Sequence, residues 1–468
     1  MTKKKRVLLI KPPSLAFKGA IKKSMPPLGL GYLASCLEEE DIPVDIYDAT
    51  LEGYDNEIEI SKGITQYGST DEEIRNRIKE FNPDIVGIHL SLSIYHSCAM
   101  NVAKIVKKLN KNIKVVIGGV HTTFCYKDIE SEPNIDYIVL GEGEKAIIKL
   151  VNDGSDNKII VGERVDDLDS IPIPAYHLFD MEGYFKTNLP QNHFPKAERV
   201  ASIITSRGCP NDCIFCSSMV FFGKKPRLRS VHNIKKEIDY LVKNYNIGEI
   251  QFLDDNLTVN RPRSLKIFDM LKKIGLPWCT PNGISVKTIN ALSLKKMKDS
   301  GCYKTTFAIE SANDYVRNKI IKKYINIDHA RKMIKVTRDI GLELHCYFII
   351  GMPGETYEQM EESFNFIKET KPDSISITLA TPLPGTELYK ICKENKFIPD
   401  DYAFDKIFQV IGNIDTDDFK SDDLEKLQKR KNIELNEFLI KESSYGRDKY
   451  DKFKDRHTDI DGKLYGKI

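Results

Sequence analysis

The run Arg207 to Ser218, RGCPNDCIFCSS, holds Cys209, Cys213 and Cys216 in a C-x3-C-x2-C spacing. A structural zinc closes its tetrahedron with four ligands, and a disulfide uses cysteines in pairs. Three thiols on one short loop instead describe a metal site with one position left open. Two centres fit. A 4Fe–4S cubane, usually held by four cysteines, can take three and keep one iron for a substrate. A catalytic zinc also has three protein ligands and an open position. The nearest histidines in sequence, His193 and His232, are too remote to complete a zinc site, so the spacing favours iron–sulfur. Three unliganded thiols would explain the spacing least.

Elements on both sides must position that loop. From 199 to about 395 apolar runs alternate with amphipathic helices. Strands are expected at 200–206, 249–254, 278–284, 304–310, 343–351 and 374–380, with helices such as 234–245 and 329–340 between them. Six such units predict an open relative of the (β/α)8 barrel, a partial (β/α)6 barrel. Catalytic groups in these barrels sit at the C-terminal strand ends, and RGCPNDCIFC follows the first strand directly.

Residues 1–150 show the same alternation, with strands expected at 6–11, 43–49, 84–91, 113–119 and 136–144 and helices at 28–39, 71–81 and 98–109. Apolar strands separated by helices imply a parallel sheet covered on both faces, a flavodoxin-like doubly wound domain. Ligands bind beyond the carboxyl ends of such strands. Those ends carry Ser91 and Leu92, then Gly118, Gly119, Val120 and His121, then Gly141, Glu142 and Gly143. Glycine lets a ligand approach backbone, so these residues are a candidate second site. Residues 151–198, with DDLDS, IPIPA and TNLPQNHFPKAE, are expected to link the two domains. Residues 396–468 are charged, with helical spacing over 424–441 and a final stretch of about twenty residues expected to be disordered.

Composition narrows the partners. With 70 basic and 68 acidic residues the net charge is +2, which gives no support for a nucleic-acid or membrane-surface partner. The N-terminal apolar run, Val7 to Ile10, is too short for a secretory h-region, and no segment approaches the ~20 apolar residues of a membrane span. A cytoplasmic location is expected. Thiols stay reduced there, so the other seven cysteines are expected to act as small buried hydrophobes.

The cysteine motif, with Phe215 just before its last cysteine, resembles that of the radical S-adenosylmethionine (SAM) superfamily. So do DDNLTVNRPR (254–263), AIES (308–311), IIGMPGET (349–356) and TPLPGTELY (381–389), in the order of the barrel strands. PPLGLGYLASCLE (26–38), IGGVHTT (117–123) and IDYIVLGEGE (135–144) are similar to the cobalamin-binding domain that precedes the barrel in one large subgroup, and IPIPAYHLF (171–179) to its linker. The resemblance covers about residues 5–395.

The resemblance implies a 4Fe–4S cluster on Cys209, Cys213 and Cys216 with SAM chelating the open iron. Phe215 would lie against adenine, Asp254 meet the methionyl amino group, and Glu310 and Ser311 face the ribose or methionyl part. Gly351, Pro353 and Gly354 would let backbone approach the adenine, and Arg207 could pair with the carboxylate. Reductive cleavage of SAM would give a 5′-deoxyadenosyl radical. Methylcobalamin would then methylate an unactivated carbon of a small-molecule or peptide substrate. Oxidative cyclisation or rearrangement without methylation is the alternative, and a non-catalytic cobalamin- or redox-sensing module the second. A low-potential donor such as ferredoxin or flavodoxin is implied. One departure stands out. Many cobalamin proteins carry D-x-H-x-x-G after the first strand, where this chain reads KPPSLAFKGAIKK. Cobalamin is therefore expected base-off, without a histidine ligand. His96 and His121 are the residues that could challenge this, and Asp455-Arg456-His457 begins the pattern only at the wrong end of the chain.

Overall fold

The computed structural model describes residues 4–19, 22–61, 63–192, 194–400, 402, 404 and 407–442. His193, the Asp455–His457 stretch and the last twenty residues lie outside them. The chain divides into two compact units, residues 1–189 with 403–406 and residues 190–402 with 407–468.

In the first unit six parallel strands form one sheet: β1 (Val7–Lys11), β2 (Val44–Asp48), β3 (Ile85–His89), β4 (Lys114–Gly118), β5 (Tyr137–Leu140) and β6 (Ile159–Val161). Their order is β2-β1-β3-β4-β5-β6, so the chain reverses direction beside β1 as in doubly wound folds. Leu8, Ile10, Val86, Ile88, Val115 and Ile117 are buried together with Val102 and Val106 of the helix His96–Leu109. The helix Asp71–Phe81 starts where Thr70 and Glu73 form a capping box.

Two features differ from the sequence expectation. The sheet has six strands rather than five, because Ile159–Val161, inside the stretch expected to be a linker, pairs with β5. The segment after β1 is not an open loop. Ser14–Phe17 pairs antiparallel with Ile64–Tyr67, which pairs with Glu57–Ser61.

The second unit is built on β7 (Val200–Ile203), β8 (Glu249–Phe252), β9 (Trp278–Ile284), β10 (Cys302–Glu310), β11 (Glu343–Ile350) and β12 (Ser374–Leu379). All six are parallel and in chain order, the arrangement expected of an open barrel. Outward side chains are apolar: Trp278 stacks on Phe268 of the helix Arg261–Ile274, and Phe348 meets Phe366 of the helix Tyr357–Thr370. The alternate residues Glu343, His345 and Tyr347 of β11 are polar, and only Ile349 near its end is not. His345 bonds the hydroxyls of Ser374 (2.8 Å) and Ser376 (3.1 Å), and Tyr347 donates to the Pro281 carbonyl (3.0 Å). A closed barrel of this type is filled with branched apolar side chains; this inner face is not.

An open barrel leaves an edge strand with unpaired backbone. The helix Ser421–Glu442 covers β12 with three amides one turn apart. Asn436 accepts from Ile375 N and donates to its carbonyl, Asn432 does the same at Ile377, and Gln428 donates to the Ile377 carbonyl, at 2.8–3.1 Å. Side-chain amides thus take the place of a seventh strand.

Candidate functional site

The cysteine loop leaves β7 through a short hairpin in which Ser206–Arg207 pairs with Arg227–Leu228. Gly208 opens the loop with φ +92°, and a Cβ there would lie 2.7 Å from the Gly223 carbonyl oxygen, so the turn requires glycine. Midway, Ile214 N donates to Ile321 O (3.1 Å) and Leu388 N to Ile214 O (2.9 Å). Cys213 is buried, while Cys209 and Cys216 are half-buried. None of the ten cysteines is in a disulfide. Burial pushes the Cys213 thiol up to about 12, and the ammonium of Lys323 opposes that shift. Among the described residues no three His, Cys, Asp or Glu side chains converge on a single ion.

The predicted SAM residues fall into two groups. Asp254 is buried just past β8, where its carboxylate accepts Thr205 N (3.1 and 3.2 Å), Thr205 Oγ1 (2.7 Å) and Ser206 Oγ. It therefore fixes the strand that feeds the cysteine loop. Ser311 is likewise turned inward, accepting Asn313 N (3.2 Å) beside Ser363. Gly351 has φ +83°, and a Cβ there would meet Leu424 of the C-terminal helix at 2.6 Å, so its missing side chain serves that packing. Gly354 (φ +86°) and Pro353 complete the same turn, which buried Glu355 holds by accepting Gly351 N (2.8 Å) and Met352 N (3.1 Å). Phe215 is half-buried on the cysteine loop, and the Arg207 guanidinium lies 5.9 Å from the Phe222 ring.

Glu310 ends β10 at a bulge and pairs with Lys323, 2.7 Å away, both side chains under 10% exposed. Burial alone would lower the Lys323 pKa, but Glu310 and Cys213 outweigh it and keep the ammonium charged. Lys323 also acts on Cys209 and Cys216. Sequence reasoning missed it, because a lysine in KIIKKY has no local signature. It missed Asp255 as well. That neighbour of Asp254 is exposed, accepts from Ser218 Oγ (2.5 Å) and acts on Cys209 and Cys216. The DD pair was the available signal: two adjacent carboxylates leave a strand end in different directions.

In the first unit, Ser91, Leu92, Gly118, Gly119, Val120, Gly141 and Gly143 remain at least partly exposed around the C-terminal strand ends, with Leu92 52% exposed. Gly119 (φ +128°) is required there, since a Cβ would lie 2.4 Å from Leu90 O. Glu142 turns inward and accepts Val165 N (2.9 Å). His121 is also buried. Its Nδ1 bonds Ser93 Oγ (2.8 Å), its Nε2 bonds His96 Nδ1 (3.1 Å), and Phe404 packs on both rings at 4.8 and 5.2 Å. Burial, then His96, push the His121 pKa down to about 3, so the ring is neutral. At the ends of β1 and β2, Lys11 and Asp48 pair at 3.0 Å and Tyr184 donates to the same carboxylate oxygen. These ends are closed by the protein's own charges. A rim of glycine backbone with an exposed leucine beside the neutral His121 fits a large, partly apolar cofactor lying across the strand ends.

Comparison with known proteins gives two family matches. Residues 16–151 match the B12 binding domain, and residues 203–367 match the radical SAM superfamily. The chain is 33% identical to the cytidylyl-2-hydroxyethylphosphonate methyltransferase of Streptomyces wedmorensis, over 84% of this chain and 82% of that protein. It is 35% identical to an uncharacterized methyltransferase of Pyrococcus horikoshii, over 84% of each. Among solved structures, the radical SAM methyltransferase TsrM of Kitasatospora setae, with cobalamin and a [4Fe–4S] cluster bound, has a TM-score of 0.61 at 16% identity, over 85% of this chain and 76% of that one. At that identity the likeness is one of fold.

Proposed function

Because the chain belongs to the cobalamin-dependent radical SAM methyltransferases, we propose that Cys209, Cys213 and Cys216 carry its cluster and that the rim from Ser91 to Gly143 carries its cobalamin. When bound, these groups supply reductive cleavage of SAM and methyl transfer to an unactivated carbon. The observation that carries the assignment is the position of the cysteine loop: directly beyond the first barrel strand, pinned at Ile214, with a buried cation beside its thiols.

The chain's own groups then divide the work. Asp254 holds the strand, and the exposed Asp255 is the carboxylate that meets the methionyl amino group. Lys323 balances the charge of the thiolates. Pro353, Gly354 and Glu355 shape the turn beside the nucleoside. Glu310 remains at the ribose or methionyl position, whereas the Ser311 hydroxyl acts through the turn it caps. Cobalamin binds base-off, without a histidine ligand, because both ring nitrogens of His121 are engaged and the segment after β1 is built into a small sheet. The paramagnetic resonance spectrum of the cob(II)alamin form tests this. It should lack splitting by an axial nitrogen, and a nitrogen-split spectrum would overturn it.

The inner face is polar in the N-terminal half of the barrel, at Lys304, Glu343, His345, Tyr347, Ser374 and Ser376, a floor beneath the strand ends that favours a polar small molecule over a lipid. The name of the Streptomyces relative, a nucleotide-linked phosphonate, points the same way. The reductant is a ferredoxin or flavodoxin and the location the cytoplasm; no helix among the described residues is long and apolar enough to cross a membrane. Product mass tests the reaction. Methylation adds one methylene, whereas ring closure adds none.

A further inference from the structure

Among the described residues nine that are not glycine have positive φ. Asn82, Asn188, Asn246 and Lys371 are helix C-caps, and Asp41 and Lys396 follow C-caps directly. Helix ends explain these, since a left-handed residue there satisfies free carbonyls. Three remain: Glu310 (φ 68°), Lys322 (φ 63°) and Tyr324 (φ 54°). They lie at one place, the Lys323–Glu310 ion pair. Left-handed backbone is costly for residues with a Cβ and persists only where the surroundings impose it.

Arg317 imposes it. Its side chain is fully buried in the π-turn Val316–Ile320, and its fixed fork is spent on three backbone carbonyls and one carboxylate. Nη1 donates to Ser311 O (2.9 Å) and Ala312 O (2.8 Å), Nε donates to Ile325 O (2.9 Å), and Nη2 meets the Asp314 carboxylate. Both ends of the segment 311–325 are thereby stapled to one guanidinium. Lys323 N then donates to Arg317 O (3.0 Å), and Ile321 O receives Ile214 N from between two cluster cysteines (3.1 Å). A surface turn needs no such construction. It makes sense if one side chain has to be delivered to one place, and the side chain delivered is Lys323.

We propose that Arg317 is a positioning residue that holds Lys323 against the cysteine loop, and that the Lys323 ammonium sets the potential at which a cluster on Cys209, Cys213 and Cys216 accepts its electron. The proposal rests on the assignment of that loop to a 4Fe–4S cluster. The step is a one-electron transfer from a low-potential donor; no bond forms or breaks. The reduced cluster is one unit more negative, so a nearby cation stabilises it and raises its potential, and the Glu310 carboxylate acts in the opposite sense.

The test is a reductive titration of the reconstituted holoenzyme with titanium(III) citrate in the absence of SAM, followed by paramagnetic resonance, with iron and sulfide content and thermal unfolding measured first. Lys323→Met should shift the midpoint potential to more negative values at full iron content, Lys323→Arg should restore it, and Glu310→Gln should shift it to more positive values. Arg317→Lys should shift it in the same direction as Lys323→Met, and the double variant should go no further than Lys323→Met alone. A Lys323→Met protein with full iron and an unchanged potential overturns the proposal, as does one that loses its cluster while Lys323→Arg fails to restore it. An Arg317→Lys protein that unfolds, or a double variant in which the two shifts add, overturns the positioning role. A wild-type protein that takes up no cluster would instead overturn the assignment of the loop.

Discussion

A cysteine that ligates iron and a cysteine that fills a core respond differently to alanine. Cys346 is fully buried on the outward face of β11, so Cys346→Ala should cost about 1 kcal/mol of stability and leave the iron content unchanged. Cys213→Ala should remove the cluster absorbance while leaving the fold near wild-type stability. Iron analysis and thermal unfolding of the two variants check both outcomes. The buried histidines give a pH dependence at the same scale. Burial, with His96 beside it, lowers His121 to about 3. Burial, with Lys11 beside it, lowers His89 to about 4. The ordinary value is 6.5. A lowered folded pKa means that the unfolded chain binds protons first. The stability of the first unit is therefore complete above pH 6.5 and falls on acidification toward pH 4, by up to about 1.4 kcal/mol per pH unit for each ring. Amide exchange of β3, followed by mass spectrometry, should accelerate over that window, and His121→Phe should reduce the effect. The cysteines were legible because their signature is contiguous. Lys323 and Arg317 were not, because what distinguishes them is burial, and Asp255 was not, because its partner Ser218 is distant in sequence.

Elements with strong periodicity were legible to their ends: the helix over Leu28–Glu39 and the strand over Trp278–Ile284 form where the pattern places them. Elements defined by pairing were not. Glu57–Ser61 alternates Glu57 and Glu59 with Ile58 and Ile60 but is exposed along its whole length, so its alternation marks no buried face, and Ile159–Val161 is too short to show a period. The amide ladder was hidden for a similar reason. Gln428, Asn432 and Asn436 lie on one face of a charged helix, and a charged helix is usually solvated. Their partners identify them as the cover of the barrel edge. Asn432→Ala leaves Ile377 N without its acceptor inside the protein and should destabilise the second unit by about 1–3 kcal/mol. Denaturant unfolding followed through Trp278 fluorescence measures that cost. Asn432→Asp keeps the acceptor but sets a buried carboxylate oxygen against the Ile377 and Gln428 carbonyls, so it should destabilise more than alanine.

For the whole molecule, the alternation of apolar strands and helices was enough to predict a doubly wound domain followed by an open barrel, and the strand orders agree. The polar inner face of the barrel was not legible, because strand register decides which alternate residues point inward, and register comes only with pairing. Joining the two folds in one chain makes a radical enzyme with a methyl carrier, and under the proposed assignment its defining step begins at the cysteine loop. The most direct test is to incubate the reconstituted protein anaerobically with SAM, cobalamin and titanium(III) citrate and to quantify 5′-deoxyadenosine. Wild-type protein should form it, and Cys213→Ala should form none. Absence of deoxyadenosine from cluster-replete wild-type protein, or equal amounts from both proteins, would contradict the account.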